Sequence, residues 1–187
     1  MRKNLWLGIA TLVLGLASTT ANAWCDFLTG GGFIITTGSG IHEPAKGTFG
    51  VGGGCKHGEP WGHLEYQDHA NGLNVHWLTI TGYHMAYTNG DENDPKRTGA
   101  RYICGTARTN LYGDVDFVVA AVDNGEPGEE DWFILRLRQS GVTVYTTEGD
   151  ADHSLGGSDS GGGNLQLHKP NASTEEFAPY YCAALQG

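Results

Sequence analysis

The stretch His63-Leu64-Glu65-Tyr66-Gln67-Asp68-His69 alternates residue by residue, with Leu64 and Tyr66 on one side of an extended chain and His63, Glu65 and Gln67 on the other. A period of two marks a β-strand with one buried and one solvated face. Leu73, Val75 and Trp77 then share a face, after which the apolar set shifts to Leu78 and Ile80. Such a shift implies a bulge, or a strand buried on both sides. Further strands are expected at 101–109, 115–122, 132–138, 142–147 and 164–168, with one or two more from Ile34, Ile35 and residues 48–51. In 132–138 the inward set is Phe133, Leu135 and Leu137, which leaves Arg136 and Arg138 outside.

Turn signals separate these segments at Asn71-Gly72, Asn89-Gly90, Asn110 to Gly113, Asn124-Gly125 and Gly141. No window carries apolar residues at helical spacing. The expected fold is all-β, an antiparallel sandwich or barrel of about eight short strands. Its core should include Leu64, Tyr66, Val75, Phe117, Val119, Phe133, Leu135, Leu137 and Leu165. Residues 87–98 and 148–162 read as long loops.

The chain begins MRKNLWLGIATLVLGLASTTANA. Arg2 and Lys3, a short apolar stretch and Ala21-Asn22-Ala23 form the pattern of a secretory signal peptide cut after Ala23. The apolar stretch is too short to span a bilayer. Cys25 is not the first residue after the cut, because Trp24 intervenes, so a disulfide is expected there rather than a lipid. Residues 24–187 are expected to form one domain outside the cytoplasm, secreted or periplasmic, with a C-terminal tail from 170. Removing Arg2 and Lys3 takes the formal charge from -10 to -12. That balance disfavours nucleic acid and anionic membrane surfaces as partners, since both recruit basic faces.

Cys25, Cys55, Cys104 and Cys182 include no C-x-x-C pair, so a zinc knuckle or thioredoxin-like motif is disfavoured. An even count in an exported chain reads as two disulfides. Three pairings are open. The expected one is Cys25–Cys182, tying the ends together, with Cys55–Cys104 inside the domain.

Six phrases occur in order: Thr29-Gly30-Gly31-Gly32-Phe33-Ile34, Lys46-Gly47-Thr48-Phe49-Gly50, Gly62-His63-Leu64-Glu65-Tyr66-Gln67-Asp68, Val122-Asp123-Asn124-Gly125-Glu126-Pro127-Gly128, Asp131-Trp132-Phe133-Ile134 and Gly162-Gly163-Asn164-Leu165-Gln166-Leu167-His168-Lys169. Together they resemble a secreted bacterial β-domain family often called the post-COAP domain, over about residues 29–169. The resemblance implies a β-rich module. It implies no defined activity and no catalytic residues.

Candidate chemistry is sparse. Residues 123–131 place Asp123, Glu126, Glu129, Glu130 and Asp131 on a glycine-containing turn. Calcium takes six to eight oxygen ligands, and Asp123, Asn124, Glu126 and Asp131 are the set expected to hold it. The alternative is a solvated acidic hairpin. Asp91, Glu92 and Asp94 precede Lys96 and Arg97 and read as a solvated loop. His63, Glu65, Gln67 and His69 share a strand face, with His76 and His84 nearby if the next strand is antiparallel. Zinc or copper could be held there; a polar solvent face is the plainer reading. Ser158-Asp159-Ser160-Gly161 reads as a flexible loop rather than a protease motif. Trp61, in a turn-like setting, is a candidate platform for a sugar ring. Asn171-Ala172-Ser173 is a glycosylation sequon. The function expected from these features is a non-catalytic binding or surface-structure module for an extracellular ligand, carbohydrate being one class. A metal-assisted hydrolase acting on polysaccharide is the alternative.

Overall fold

A computed structural model describes residues 25–36, 44–91, 94–148, 153–155, 161–170 and 182. The signal segment, Ser158-Asp159-Ser160 and the sequon lie outside them. Nine strands form: β1 (Phe27–Thr36), β2 (Ala45–Lys56), β3 (Glu59–Asp68), β4 (Leu73–Asn89), β5 (Thr98–Thr109), β6 (Gly113–Asp123), β7 (Trp132–Gln139), β8 (Val142–Thr146) and β9 (Gly162–His168). Each of β1 to β8 pairs antiparallel with its neighbour in sequence, and β9 returns to pair with β1. The order is therefore β8-β7-β6-β5-β4-β3-β2-β1-β9. No helix of the described residues is long and apolar enough to cross a membrane.

This single sheet curls into a half-barrel rather than splitting into two. Its inward faces meet across the middle. The Phe133 ring of β7 stacks on Phe49 of β2 with centroids 3.8 Å apart, and the Tyr66 and Tyr145 hydroxyls lie 2.6 Å apart. All nine residues expected in the core are buried. The alternation in β3 and β7 puts the expected residues inside. The expected bulge is present in β4, where the register with β5 shifts between Trp77 and Thr79. Ile80 beyond it is buried and Leu78 is exposed.

Three expectations need correction. The disulfides are Cys25–Cys55 and Cys104–Cys182. Phe27 pairs with Gly54, so Cys25 emerges beside the end of β2, and the Cys25 and Cys55 Cα atoms stand 5.9 Å apart. Cys55 shares the inward face with Val51, whereas Cys104 follows inward Ile103 and packs with Val118 and Cys182 in a separate cluster. Sheet alternation keeps the expected Cys55–Cys104 pair on opposite faces. The loop expected at 87–98 is shorter, because β4 runs on to Asn89. Trp61 is a β3 residue, and the adjoining turn is His57-Gly58.

Candidate functional site

Polar groups inside the half-barrel are tied into three networks. Beside the start of β1, the buried Asp26 carboxylate meets two buried guanidinium groups. Arg101 donates from Nε to Oδ1 at 3.0 Å, and Arg97 and Arg101 both donate to Oδ2. The Tyr83 hydroxyl donates to Oδ1 at 2.7 Å, and Arg101 also donates to the Tyr87 and Ala100 carbonyls. Burial, with Asp26 adding to it, holds the Tyr83 phenol well above its ordinary range. At the far ends of β1 and β3, Tyr145 donates to Asp68 at 2.9 Å and Thr36 donates to it at 3.1 Å. Burial, with Tyr66 and Asp68 beside it, keeps the Tyr145 phenol neutral far above its ordinary range.

The third network contains the residues expected to hold calcium. Asp123 and Asp131 are buried, not solvated. Asp123 accepts the Leu167 N–H on Oδ2 at 2.6 Å and the Gly125 N–H on Oδ1 at 2.8 Å. Asp131 accepts the Leu165 N–H on Oδ2 at 2.7 Å and the Asn124 N–H on Oδ1 at 2.9 Å. Leu165 and Leu167 belong to β9, an edge strand of the sheet. The two carboxylates thus take the place of a missing neighbouring strand and latch β9 to the end of β6. An unpaired edge would otherwise leave buried N–H groups without acceptors. Burial pushes both carboxyls above the usual range, and the backbone N–H bonds pull back only part of that rise. Asn164 of β9 donates to Glu126 at 3.2 Å, and the Asn124 amide donates to the Glu130 carbonyl. Gly128 (φ +87°) permits this approach, because a Cβ there would stand 2.2 Å from Asn164 Oδ1.

The histidine face forms, but its members disperse. His76 hydrogen-bonds Glu65, the His63 ring lies over Gly52, and His69 Nε2 is 3.2 Å from Thr48 Oγ1. His84 stacks against Tyr102, away from the rest. No group of three His, Cys, Asp or Glu able to hold a metal occurs among the described residues.

What the outer face does carry is a groove of about 560 Å³ across β2 to β5. Its lining includes Thr48 and Gly50 of β2, Glu65 and Gln67 of β3, Asn74 and His76 of β4, and Arg108 of β5. Register explains the set. Gly31, Gly50, Glu65, His76, Arg108 and Asp114 form one cross-strand row, and Phe33, Thr48, Gln67 and Asn74 form the next. Along the first row Glu65 hydrogen-bonds His76, and Arg108 Nε pairs with Asp114 at 3.1 Å. Both pairs are exposed, so they add little stability. Asn110 fixes one end, accepting the Asn74 N–H at 2.7 Å and donating to the Gly72 carbonyl at 2.9 Å. Trp61 stands on the same face of β3, 44% exposed, two outward positions before Glu65.

No family model, curated protein or solved structure matches this chain.

Proposed function

We propose that this protein is a non-catalytic module, secreted or periplasmic, that binds a neutral polysaccharide chain in the groove over β2 to β5. The carrying observation is the lining itself: amide, carboxylate, imidazole and guanidinium groups, with Arg108 paired to Asp114 and Glu65 hydrogen-bonded to His76. Hydroxyl groups both donate and accept, so a polyhydroxyl ligand can use such a lining and leave the Arg108–Asp114 pair in place. An anionic polymer would have to compete with Asp114 for Arg108. The buried acids of the interior carry structural hydrogen bonds, and this supports a binding role over hydrolysis.

Isothermal titration of the protein with neutral hexasaccharides (cellohexaose, xylohexaose, mannohexaose, maltohexaose) tests the reading, with hexagalacturonate as the charged comparator. Binding to one of the neutral set is expected. Gln67→Ala, which removes a donor and an acceptor from the groove, should weaken it by roughly fivefold to tenfold. Binding confined to hexagalacturonate would refute the reading.

Calcium at Asp123, Asn124, Glu126 and Asp131 is a second, separate part of this proposal. Asp123, Glu126 and Asp131 form no ready three-ligand group, so the ion would have to complete its shell from Asn124 and water. The melting temperature should then rise with added calcium and fall with chelator. A melt that ignores both would leave the latch complete without metal.

A further inference from the structure

The groove floor contains a residue that the fold does not explain. Gly50 lies in mid-strand with an ordinary backbone conformation, and a Cβ built on it would have no described atom within 4 Å. Its neighbours differ. A Cβ at Gly52 would run into the His63 ring at 2.8 Å, one at Gly54 into the Phe27 side chain at 2.5 Å, and one at Gly53 into Ile103 at 2.5 Å. Those three glycines make room for the protein's own side chains. A strand glycine with no packing role weakens the strand, and a close approach by a ligand is a recognised reason for its presence.

Gly31 sits beside Gly50 in the same cross-strand row, one strand spacing of about 5 Å away. The two leave a bare strip of backbone in the row, flanked by Glu65 of β3 on the groove side and by Asn164 of β9 on the other. We infer that Gly50 is a specificity-determining position: a sugar ring of the ligand lies flat on the sheet backbone there, where any side chain would lift it away. The inference rests on the groove reading above and adds the path of the ligand, across β2 at Gly50 and on to the hydrogen-bonding groups of β3 and β4.

The expected signature is opposite movement of stability and affinity. Gly50→Thr places a good strand former in open space, so its melting temperature should hold or rise. Its affinity for the neutral hexasaccharide bound by the wild type should fall roughly tenfold or more. Gly50→Ala should show the same pattern with a smaller loss, and Gly53→Ala, against fully buried Ile103, should lower the melting temperature. If Gly50→Thr binds as tightly as wild type while Gln67→Ala does not, Gly50 is no part of the contact and the groove reading stands alone. A marked drop in the melting temperature of Gly50→Ala would overturn the inference by showing a packing role. Binding to none of the neutral hexasaccharides would overturn both readings.

Discussion

Replacing Asp26 with alanine is expected to destabilise the fold by about 3–5 kcal/mol. Its carboxylate is the acceptor for two guanidinium groups, on Arg97 and Arg101, and all three side chains are almost wholly buried. Taking away the anion leaves those cations in a poorly solvated interior, and that uncompensated charge, rather than the lost hydrogen bonds, dominates the cost. The Tyr83 hydroxyl loses its acceptor as well. The network is not a source of stability in itself, because desolvating a buried ion pair can offset its attraction. Asp26→Ala combined with Arg97→Met and Arg101→Met should therefore recover much of what the single change loses. Urea unfolding measures both. A loss below about 1 kcal/mol for Asp26→Ala would show that water reaches the guanidinium groups.

Asp131→Ala should cost about 2–6 kcal/mol, since it strips the acceptor from two backbone N–H groups at about 1–3 kcal/mol each. The Leu165 N–H is buried, so nothing replaces the carboxylate there. Asp131→Asn should lie between, because its amide offers one accepting oxygen to two donors. The pH dependence follows from the same burial. Asp123 and Asp131 titrate above their unfolded values, so the folded state holds their protons more tightly than the unfolded chain does. Their contribution is fully present below the unfolded carboxyl range, near pH 4, and is lost as pH rises through the folded values. His168 has the opposite sign: burial lowers it, with Asp123 opposing, so its contribution grows as pH rises towards the ordinary histidine value of about 6.5. Stability measured from pH 4 to 7 should fall less steeply in the Asp123→Asn, Asp131→Asn double variant than in wild type. An unchanged slope would mean the latch acids are solvated.

Period-two alternation is a local signal, and it revealed what local signals can. Leu64 and Tyr66, or Phe133, Leu135 and Leu137, declare their face without reference to any partner. The same alternation carried more than its apolar members. Asp68 continues the inward row of Leu64 and Tyr66, and Arg101 continues that of Ile103 and Ala107. The usual exposure of charged residues hid both positions. Cys55 falls in step with Val51, while Cys104 falls out of step with Ile103, and that mismatch in face separates the two cysteines.

Asp123 and Asp131 were singled out as acids on a turn, but their role depends on β9 backbone lying 44 and 34 residues further along the chain, respectively. No local pattern specifies such a partner. The groove is hidden for the same reason. Thr48, Gly50, Gln67, Asn74 and Arg108 become neighbours only through the register of four strands. Gly50 looks like every other glycine in the chain until its surroundings can be compared with those of Gly52 and Gly53.

The most direct test of the binding face is amide chemical-shift mapping of the isotope-labelled protein, titrated with the neutral hexasaccharide that binds in calorimetry. Shifts are expected to concentrate at Thr48, Gly50, Glu65, Gln67, Asn74 and His76, and to leave Lys96, Arg97, Gly125 and Glu126 at the latch end unmoved. Shifts gathered at the latch end, with the groove silent, would contradict a carbohydrate site on the outer face of β2 to β5.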